Sequence, residues 1–474
     1  MNAPIARLFV VVVVLFGVLV AFTSRWTVFG AEALRDNPKN RRELLEEQRI
    51  HRGLIRAGDD TVLARSLKQA DDSYVRTYPQ GRLFSHAVGY SFVRQGRAGL
   101  ERYYDDDLSG RRDDLGSLID RLSSSTKEGD DLITSVDPAA QRVALQQLGG
   151  RKGAVVALDP RSGAIKVMAS VPGYDPNSVK NQAAFNALNR DKDAPLLNRN
   201  TQAGYPPGST FKVVSAIAAI DSGKYTPQSR ISGRNGKVIS GVPLNNDGGE
   251  SFGDITLTDA LTHSVNTVFG EVGEHVGKAT MKKYMDRLGF GAPVQVDLPR
   301  DERAASGERR NGRIIPATSR FVDVGRMAIG QDKLTVTPLQ MAMVAASVAN
   351  GGKLMKPHLG DRVVDPDGRT VRRIEPGEMS QVMSSQTASE VGAMMAQVVR
   401  EGTGTAAALE GIDVAGKTGT AEVDHGCPNQ LWFIAFAPVQ DPRVAIAVTV
   451  ECGTGFGGTV AAPIAKAVMQ ELLR

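Results

Sequence analysis

Residues 204–214 read GYPPGSTFKVV, and this order of chain breakers, hydroxyl and amine sets the expectation for everything around it. Pro206, Pro207 and Gly208 interrupt regular structure, whereas Phe211, Val213, Val214, Ile217 and Ile220 recur at helical spacing as far as Asp221. Ser209 is therefore expected at a helix start. Residues three apart on a helix share a face, with Cβ atoms about 5–6 Å apart, so the Ser209 hydroxyl and the Lys212 amine are placed to share a proton. That is the layout of an activated nucleophile.

Taken alone, S-x-x-K is weak evidence, because a second copy runs from Ser124 to Lys127 in the polar stretch LSSSTKEGDD, which reads as a solvated loop. Only Ser209 has breakers before it and an apolar helix after it. Further along, Ser264-Val265-Asn266 is the one S-x-N of the chain. It lies in LTDALTHSVNTVFGEV, where Leu261, Val265, Val268, Phe269 and Val272 suggest a buried helix. Lys417-Thr418-Gly419-Thr420 follows, between the β-favouring IDVAG and AEV. In isolation the first of these is an ordinary polar helix edge and the second a strand end.

In the order S-x-x-K, S-x-N, K-T-G, the three together form the pattern of active-site serine enzymes that react with penicillin. The chain resembles the penicillin-binding proteins, specifically the class B monofunctional D,D-transpeptidases, and most closely those of high-GC Gram-positive bacteria. The resemblance extends upstream, where RGLIRAGDDTVLA is similar to the family's RGxI segment, and YPQGRLFSHAVGY and GLERYYDDDLSG are similar to its pedestal motifs. Arg56-Ala57-Gly58-Asp59 departs from the usual wording after RGxI.

The residues themselves permit the chemistry. A lysine with an unperturbed pKa of about 10.4 is charged at neutral pH and useless as a base. An apolar setting, a helix N-terminus and a second cation at Lys417 all disfavour the ammonium form of Lys212. The resemblance implies Ser209 as nucleophile, Lys212 as its base, Ser264 as proton relay and Asn266 as a ligand of the substrate amide. It also implies backbone donors at Ser209 and Thr420 for the oxyanion, and Lys417, Thr418 and Thr420 around a terminal carboxylate. Gly419 is expected to lack a side chain so that substrate can approach the strand. The implied substrate is a peptidoglycan stem peptide ending in D-Ala-D-Ala, cross-linked through a Ser209 acyl-enzyme that β-lactams trap. No metal or organic cofactor is expected, and a membrane glycan polymerase of the SEDS type is the expected partner.

Composition agrees with a globular chain of two or three domains: 474 residues, 41% hydrophobic, with a formal net charge of +5. Basic residues alternate with acids, as in RRELLEEQR, and there is no nucleic-acid motif or metal-ligand spacing among the six histidines. From Leu8 to Phe22 the sequence LFVVVVVLFGVLVAF is unbroken apolar. It reads as an uncleaved anchor, with Ala31-Glu32-Ala33 supporting a cleaved signal peptide as the rival. Arg25, Arg35, Lys39, Arg41 and Arg42 follow it, so the charge bias does not set the orientation. The substrate does, by placing the catalytic part outside the cytoplasm.

The expected organisation is an anchor over residues 1–30, a β-rich pedestal over 31–150 and a transpeptidase domain over 151–474. Within the last, GAVVALDPRSGAIKVMASV reads as a hairpin, and AGKTGTAEV, LWFIAFAPV and RVAIAVTVE as successive strands. The fold class is α+β, an antiparallel sheet flanked by helices. Cys427 follows the K-T-G strand and Cys452 ends the strand two further along, so in an exported domain a disulfide between them is expected. The rival functions are a β-lactamase, disfavoured by the long region before Ser209, a D,D-carboxypeptidase, and a non-catalytic β-lactam sensor or scaffold, disfavoured because every catalytic residue is present.

Overall fold

The computed structural model describes residues 2–24, 47–111, 128–423 and 427–474. A five-stranded antiparallel sheet forms its larger part, in the order Ala415–Glu422, Asn429–Ala437, Val444–Val450, Gly153–Leu158 and Ile165–Val171. The hairpin and the three C-terminal strands read from the sequence are all present. Their apolar runs are nearly continuous because helices cover both faces, so inward and outward side chains alike are buried. Alternation assigns Phe433 and Ala435 to one layer, with Val468 and Met469 of helix Gly457–Leu472. Trp432, Ile434 and Phe436 face the other, with helices Lys212–Asp221, Pro338–Ala349 and Ser385–Arg400. Local sequence starts these helices: Thr337 precedes Pro338 at the first helical position and accepts from Gln340 N–H at 3.2 Å.

A second, six-stranded sheet runs Thr370–Arg373, Gly360–Val364, Asp131–Thr134, Ile55–Arg56, Val62–Lys68 and Tyr74–Thr77. Two of its strands thus come from residues 360–373, which the sequence division had left with the 151–474 region. Ile133 pairs on one side with Arg56, in parallel, and on the other with Arg362, antiparallel. Beside the sheet, the carboxylate of Glu101 is wholly buried between Arg76, at 2.5 Å, and Arg52, at 2.9 Å. Burial opposes its charge, but the two guanidinium groups outweigh that and hold its pKa below the ordinary range. The two parts of the molecule meet at Asp297, which accepts from Tyr104 Oη at 2.9 Å and from the N–H groups of Leu359 and Gly360 at 2.7 Å.

The structure differs from the sequence reading at several places. Short hairpins that the sequence analysis did not single out include Lys237–Ile239 with Val242–Leu244 and Gly307–Arg310 with Arg313–Ile315. Residues Asn2–Ser24 form one helix whose large apolar side chains are at least half exposed. Its unbroken apolar run of 15 residues rises about 22 Å against a hydrocarbon core of about 30 Å. Among the described residues no helix is long and apolar enough to cross a membrane. The Ser124–Lys127 loop, the Ala31–Ala33 site and most of the charged stretch after the helix lie outside the described residues.

A disulfide joins Cys427 to Cys452 across 25 residues of chain, tying the tip of the hairpin Ala415–Ala437 to the end of strand Val444–Val450. Closing a loop of that length stabilises by about 3 kcal/mol in the chain-entropy account. The unreduced protein is expected to show no free thiol on titration. Cys427→Ser is expected to melt several degrees lower, and two titratable thiols in the native protein would contradict the bridge.

Candidate active site

The stretch before Ser209 is held from three sides. Tyr205 exchanges backbone hydrogen bonds with Val336, at 2.9 and 2.8 Å, and the buried Trp432 indole donates to Pro206 O at 2.9 Å. Gly208, at φ +51°, donates its N–H to Gly330 O at 3.1 Å. That left-handed conformation suits glycine and turns the chain into one tight turn, Gly208–Phe211, that leads into helix Lys212–Asp221. Ser209 thereby stands at a helix start with its side chain part-exposed, and Lys212 lies one turn on, fully buried. Lys212 Nζ is 3.0 Å from Ser209 Oγ.

Ser264 is not inside a helix, as its apolar neighbours had suggested. It sits between helices Leu257–Thr262 and Asn266–Val276 at φ +58°. A left-handed serine costs about 1–2 kcal/mol, and here it turns both the carbonyl and the hydroxyl of Ser264 toward Lys212. Lys212 Nζ reaches Ser264 O at 2.6 Å, Ser264 Oγ at 3.2 Å and Asn266 Oδ1 at 2.7 Å. Lys417, also fully buried, donates to Ser264 Oγ at 2.9 Å and Thr418 O at 3.1 Å. Two lysines therefore share one serine hydroxyl, and no carboxylate pairs with either among the described residues.

That arrangement favours the neutral amine in both. Burial first, and then the neighbouring Lys417, drive the pKa of Lys212 well below its usual value, against a smaller opposing pull from Asp247. Burial brings Lys417 down to about 7. A neutral Lys212 carries a lone pair within hydrogen-bond distance of the Ser209 hydroxyl, so it can accept that proton.

Strand Ala415–Glu422 is the outermost of the sheet, and its free edge borders the Ser209 turn. A Cβ on Gly208 would lie 2.9 Å from Thr420 O, so the Thr420 carbonyl faces this edge. In an antiparallel strand a residue's N–H points the same way as its C=O, which aims the Thr420 N–H at the cleft as well. The N–H of Ser209, opening a helical turn, lacks an intrahelical acceptor. Thr418 Oγ1 lies 2.6 Å from Thr403 Oγ1, and Thr420 Oγ1 accepts from Gly457 N–H at 3.1 Å. These groups surround a cleft of about 570 Å³ that holds Ser209, Ser264, Asn266, Thr418, Gly419 and Thr420.

The residues singled out in the sequence are thus brought together, with one reason revised. Gly419 lacks a side chain because the nucleophile's turn fills that space: a Cβ would lie 2.8 Å from Pro207 O and 2.9 Å from Thr210 Cγ2. The sequence reading missed Asn245, whose carbonyl accepts from Asn266 Nδ2 at 3.0 Å, and Asn246, whose Oδ1 accepts from Thr267 N–H at 3.0 Å. It also missed Thr403 and Thr405, whose GTGTA segment lines the cleft. Among the described residues no group of histidine, cysteine or acidic side chains is arranged to hold a metal ion.

Comparison with known proteins places this geometry. Residues 153–470 match the family model of the penicillin binding protein transpeptidase domain, and residues 52–132 that of the penicillin binding protein A dimerisation domain. The chain is similar to the peptidoglycan D,D-transpeptidase PbpA of Mycolicibacterium smegmatis, 34% identical over 100% of this chain and 99% of that protein. Its counterpart in Mycobacterium tuberculosis is 33% identical, again over 100% and 99%. The solved ceftriaxone acyl-enzyme complex of penicillin-binding protein A from M. tuberculosis superposes with a TM-score of 0.82 at 30% identity, covering 91% of this chain and all of that one.

Proposed function

The chain belongs to the penicillin-binding protein transpeptidase family, and from that premise we propose that it is a peptidoglycan D,D-transpeptidase, acylated at Ser209 and inhibited covalently by β-lactams. The observation that carries the assignment is the fully buried Lys212 amine 3.0 Å from the Ser209 hydroxyl, with no carboxylate ion-paired to it among the described residues.

Lys212 takes the Ser209 proton as Oγ attacks the penultimate D-Ala carbonyl of a stem peptide. The oxyanion is met by the N–H groups of Ser209 and Thr420, which are already oriented and need no reorganisation. Asn266 binds the substrate amide, while Thr418, Thr420 and Lys417 take the terminal carboxylate. Ser264, touched by both lysines, passes the proton to the departing D-Ala nitrogen. The acyl group on Ser209 then goes to an amine of a second stem. Asp247 and Glu422 line the cleft, but neither hydrogen-bonds Ser209 or Lys212, so among the described residues no carboxylate is poised to activate water in their place.

An acyl-enzyme without an activated water waits for an amine. Mass spectrometry of the protein with excess benzylpenicillin is expected to show one adduct, on Ser209, that persists for many minutes, and none in Ser209→Ala. Sustained multiple turnover would make the protein a β-lactamase, and rapid D-Ala release without acceptor a carboxypeptidase.

The helix Asn2–Ser24 we take as the membrane anchor, with the remainder extracytoplasmic, because its apolar side chains find no protein surface to cover them and the substrate lies outside the cytoplasm. The sheet built around residues 52–134 then acts as a β-rich pedestal, and a glycan polymerase of the SEDS type is the proposed partner, supported by the family resemblance alone. Alkaline washing of membranes should leave the protein in the pellet together with that polymerase. Release of the protein into the wash would reject the anchor.

A further inference from the structure

Glu451 directly follows strand Val444–Val450 and does not line the catalytic cleft, yet two side chains converge on one of its carboxylate oxygens. Tyr205 Oη donates to Glu451 Oε1 at 2.5 Å, and Arg199 Nε donates to the same oxygen at 2.7 Å. Arg199 is buried, and its remaining nitrogens donate to Ala194 O at 3.2 Å and Asp193 O at 2.7 Å. The main chain fixes Glu451 as well: its N–H donates to Lys152 O at 2.8 Å, and the next residue, Cys452, belongs to the disulfide. Burial, and then the charge of Glu451, raise the pKa of Tyr205 well above that of an ordinary phenol, so the hydroxyl keeps the proton it donates. The carboxylate is therefore a fixed acceptor, and the phenol a permanent donor to it.

Tyr205 stands four residues before the nucleophile. Its backbone pair with Val336 and the Trp432 bond to Pro206 O hold the stretch from two directions, and the Tyr205 ring packs edge-on against Trp432 with centroids 6.2 Å apart. The phenol adds a third direction, toward the end of strand Val444–Val450. Between Tyr205 and the Ser209 turn lie Pro206 and Pro207, whose rings lock φ near −65°. A stiff pair of residues passes a displacement on instead of absorbing it, so a shift of Tyr205 reaches Gly208 and Ser209.

Resting on the transpeptidase reading above, we infer that Glu451, held by Arg199, is a positioning residue for the nucleophile: through the Tyr205 phenol it sets where Ser209 Oγ stands relative to Lys212 Nζ and the Thr420 N–H. It hydrogen-bonds to none of Ser209, Lys212, Ser264 or Lys417 among the described residues. Its effect falls on the chemical step and not on binding, because Asn266, Thr418 and Lys417, which take the substrate, are carried by other elements.

The test mixes the full chain rapidly with benzylpenicillin over a range of concentrations, which separates the limiting acylation rate from the half-saturating concentration. Tyr205→Phe removes one oxygen and is expected to slow limiting acylation about tenfold, with half-saturation within about twofold of the unmodified protein. Glu451→Ala is expected to cost at least about as much beside Tyr205, but no more than about twofold in the Tyr205→Phe background, since without the phenol the carboxylate has no hold on the nucleophile. Glu451→Gln, which keeps an oxygen for the phenol, should recover most of the rate lost in Glu451→Ala. A purely structural role would lower the melting temperature of each variant without this loss of additivity in the rate. Losses that multiply in the double variant, a change confined to half-saturation, or full-rate acylation by Tyr205→Phe overturns the positioning role, and the last can be read even where Glu451→Ala does not fold. Failure of the unmodified protein to acylate with benzylpenicillin would instead overturn the transpeptidase reading beneath it.

Discussion

Replacing Lys212 by methionine is expected to slow acylation of Ser209 by benzylpenicillin about 10³-fold, within the range a positioned general base contributes. Methionine keeps the length and apolar character of the stem and removes only the amine that reaches Ser209 Oγ, Ser264 and Asn266. The pH profile carries the same information. Since burial and Lys417 hold the pKa of Lys212 well below its usual value, acylation should persist well below pH 10.5 and fall as Lys212 gains a proton. Lys417, which titrates at about 7, displaces that fall to lower pH, because its charge below about pH 7 makes protonating Lys212 harder still.

The linked stability has a definite sign. Lys212 has a folded pKa depressed below its unfolded value, so its contribution is fully present above the unfolded pKa and is lost as pH falls toward the folded one. The melting temperature of Lys212→Met should therefore gain on that of the unmodified protein as pH drops below 10.5. Near-normal acylation by the methionine variant would move the base role to Lys417.

Gly419→Ala is expected to cost about 10²-fold in acylation rate and 1–3 kcal/mol in stability, although it adds a single methyl group. The new Cβ would meet Pro207 O at 2.8 Å, Thr210 Cγ2 at 2.9 Å and Trp432 Cβ at 3.1 Å. Two of these belong to the turn that carries Ser209 and the third to the neighbouring strand, so no flexible side-chain end can yield. The turn must lift from the strand, and the distance between the Ser209 and Thr420 N–H groups must change with it. KM for a stem peptide should move less than kcat, since Thr418 and Lys417 stay in place. A variant with full acylation and an unchanged melting temperature would mean that the sheet edge tolerates the methyl group and that the turn is not seated as described.

What could be read from the sequence was whatever depends on near neighbours. The breakers before Ser209, the apolar period after it and the strand-and-turn order of the last three strands are local patterns, and each corresponds to an observed element. The three motifs found their places because their residue types are rare in combination. Ser264 was misplaced in a helix because hydrophobic spacing is blind to a single left-handed residue. Asn245, Asn246 and Thr403 went unnoticed because their partners lie 15 to 21 residues away, and nothing in NND or GTGTA announces such a contact. Trp432 looked like ordinary strand filling, yet its indole N–H holds Pro206.

The sheet that joins Ile55–Arg56 and Asp131–Thr134 to Gly360–Val364 has a bearing on how the chain is made. As a ribosome delivers residues from the N-terminus, strand Asp131–Thr134 emerges with one flank unpaired, and its partner follows roughly 230 residues later, about 10–45 s at ordinary synthesis rates. For that interval Leu132 and Ile133 present an open strand edge to other nascent chains. The upstream region cannot mature ahead of the catalytic one. A chain cut short before residue 360 leaves behind an adhesive edge where the finished protein has a sheet interior.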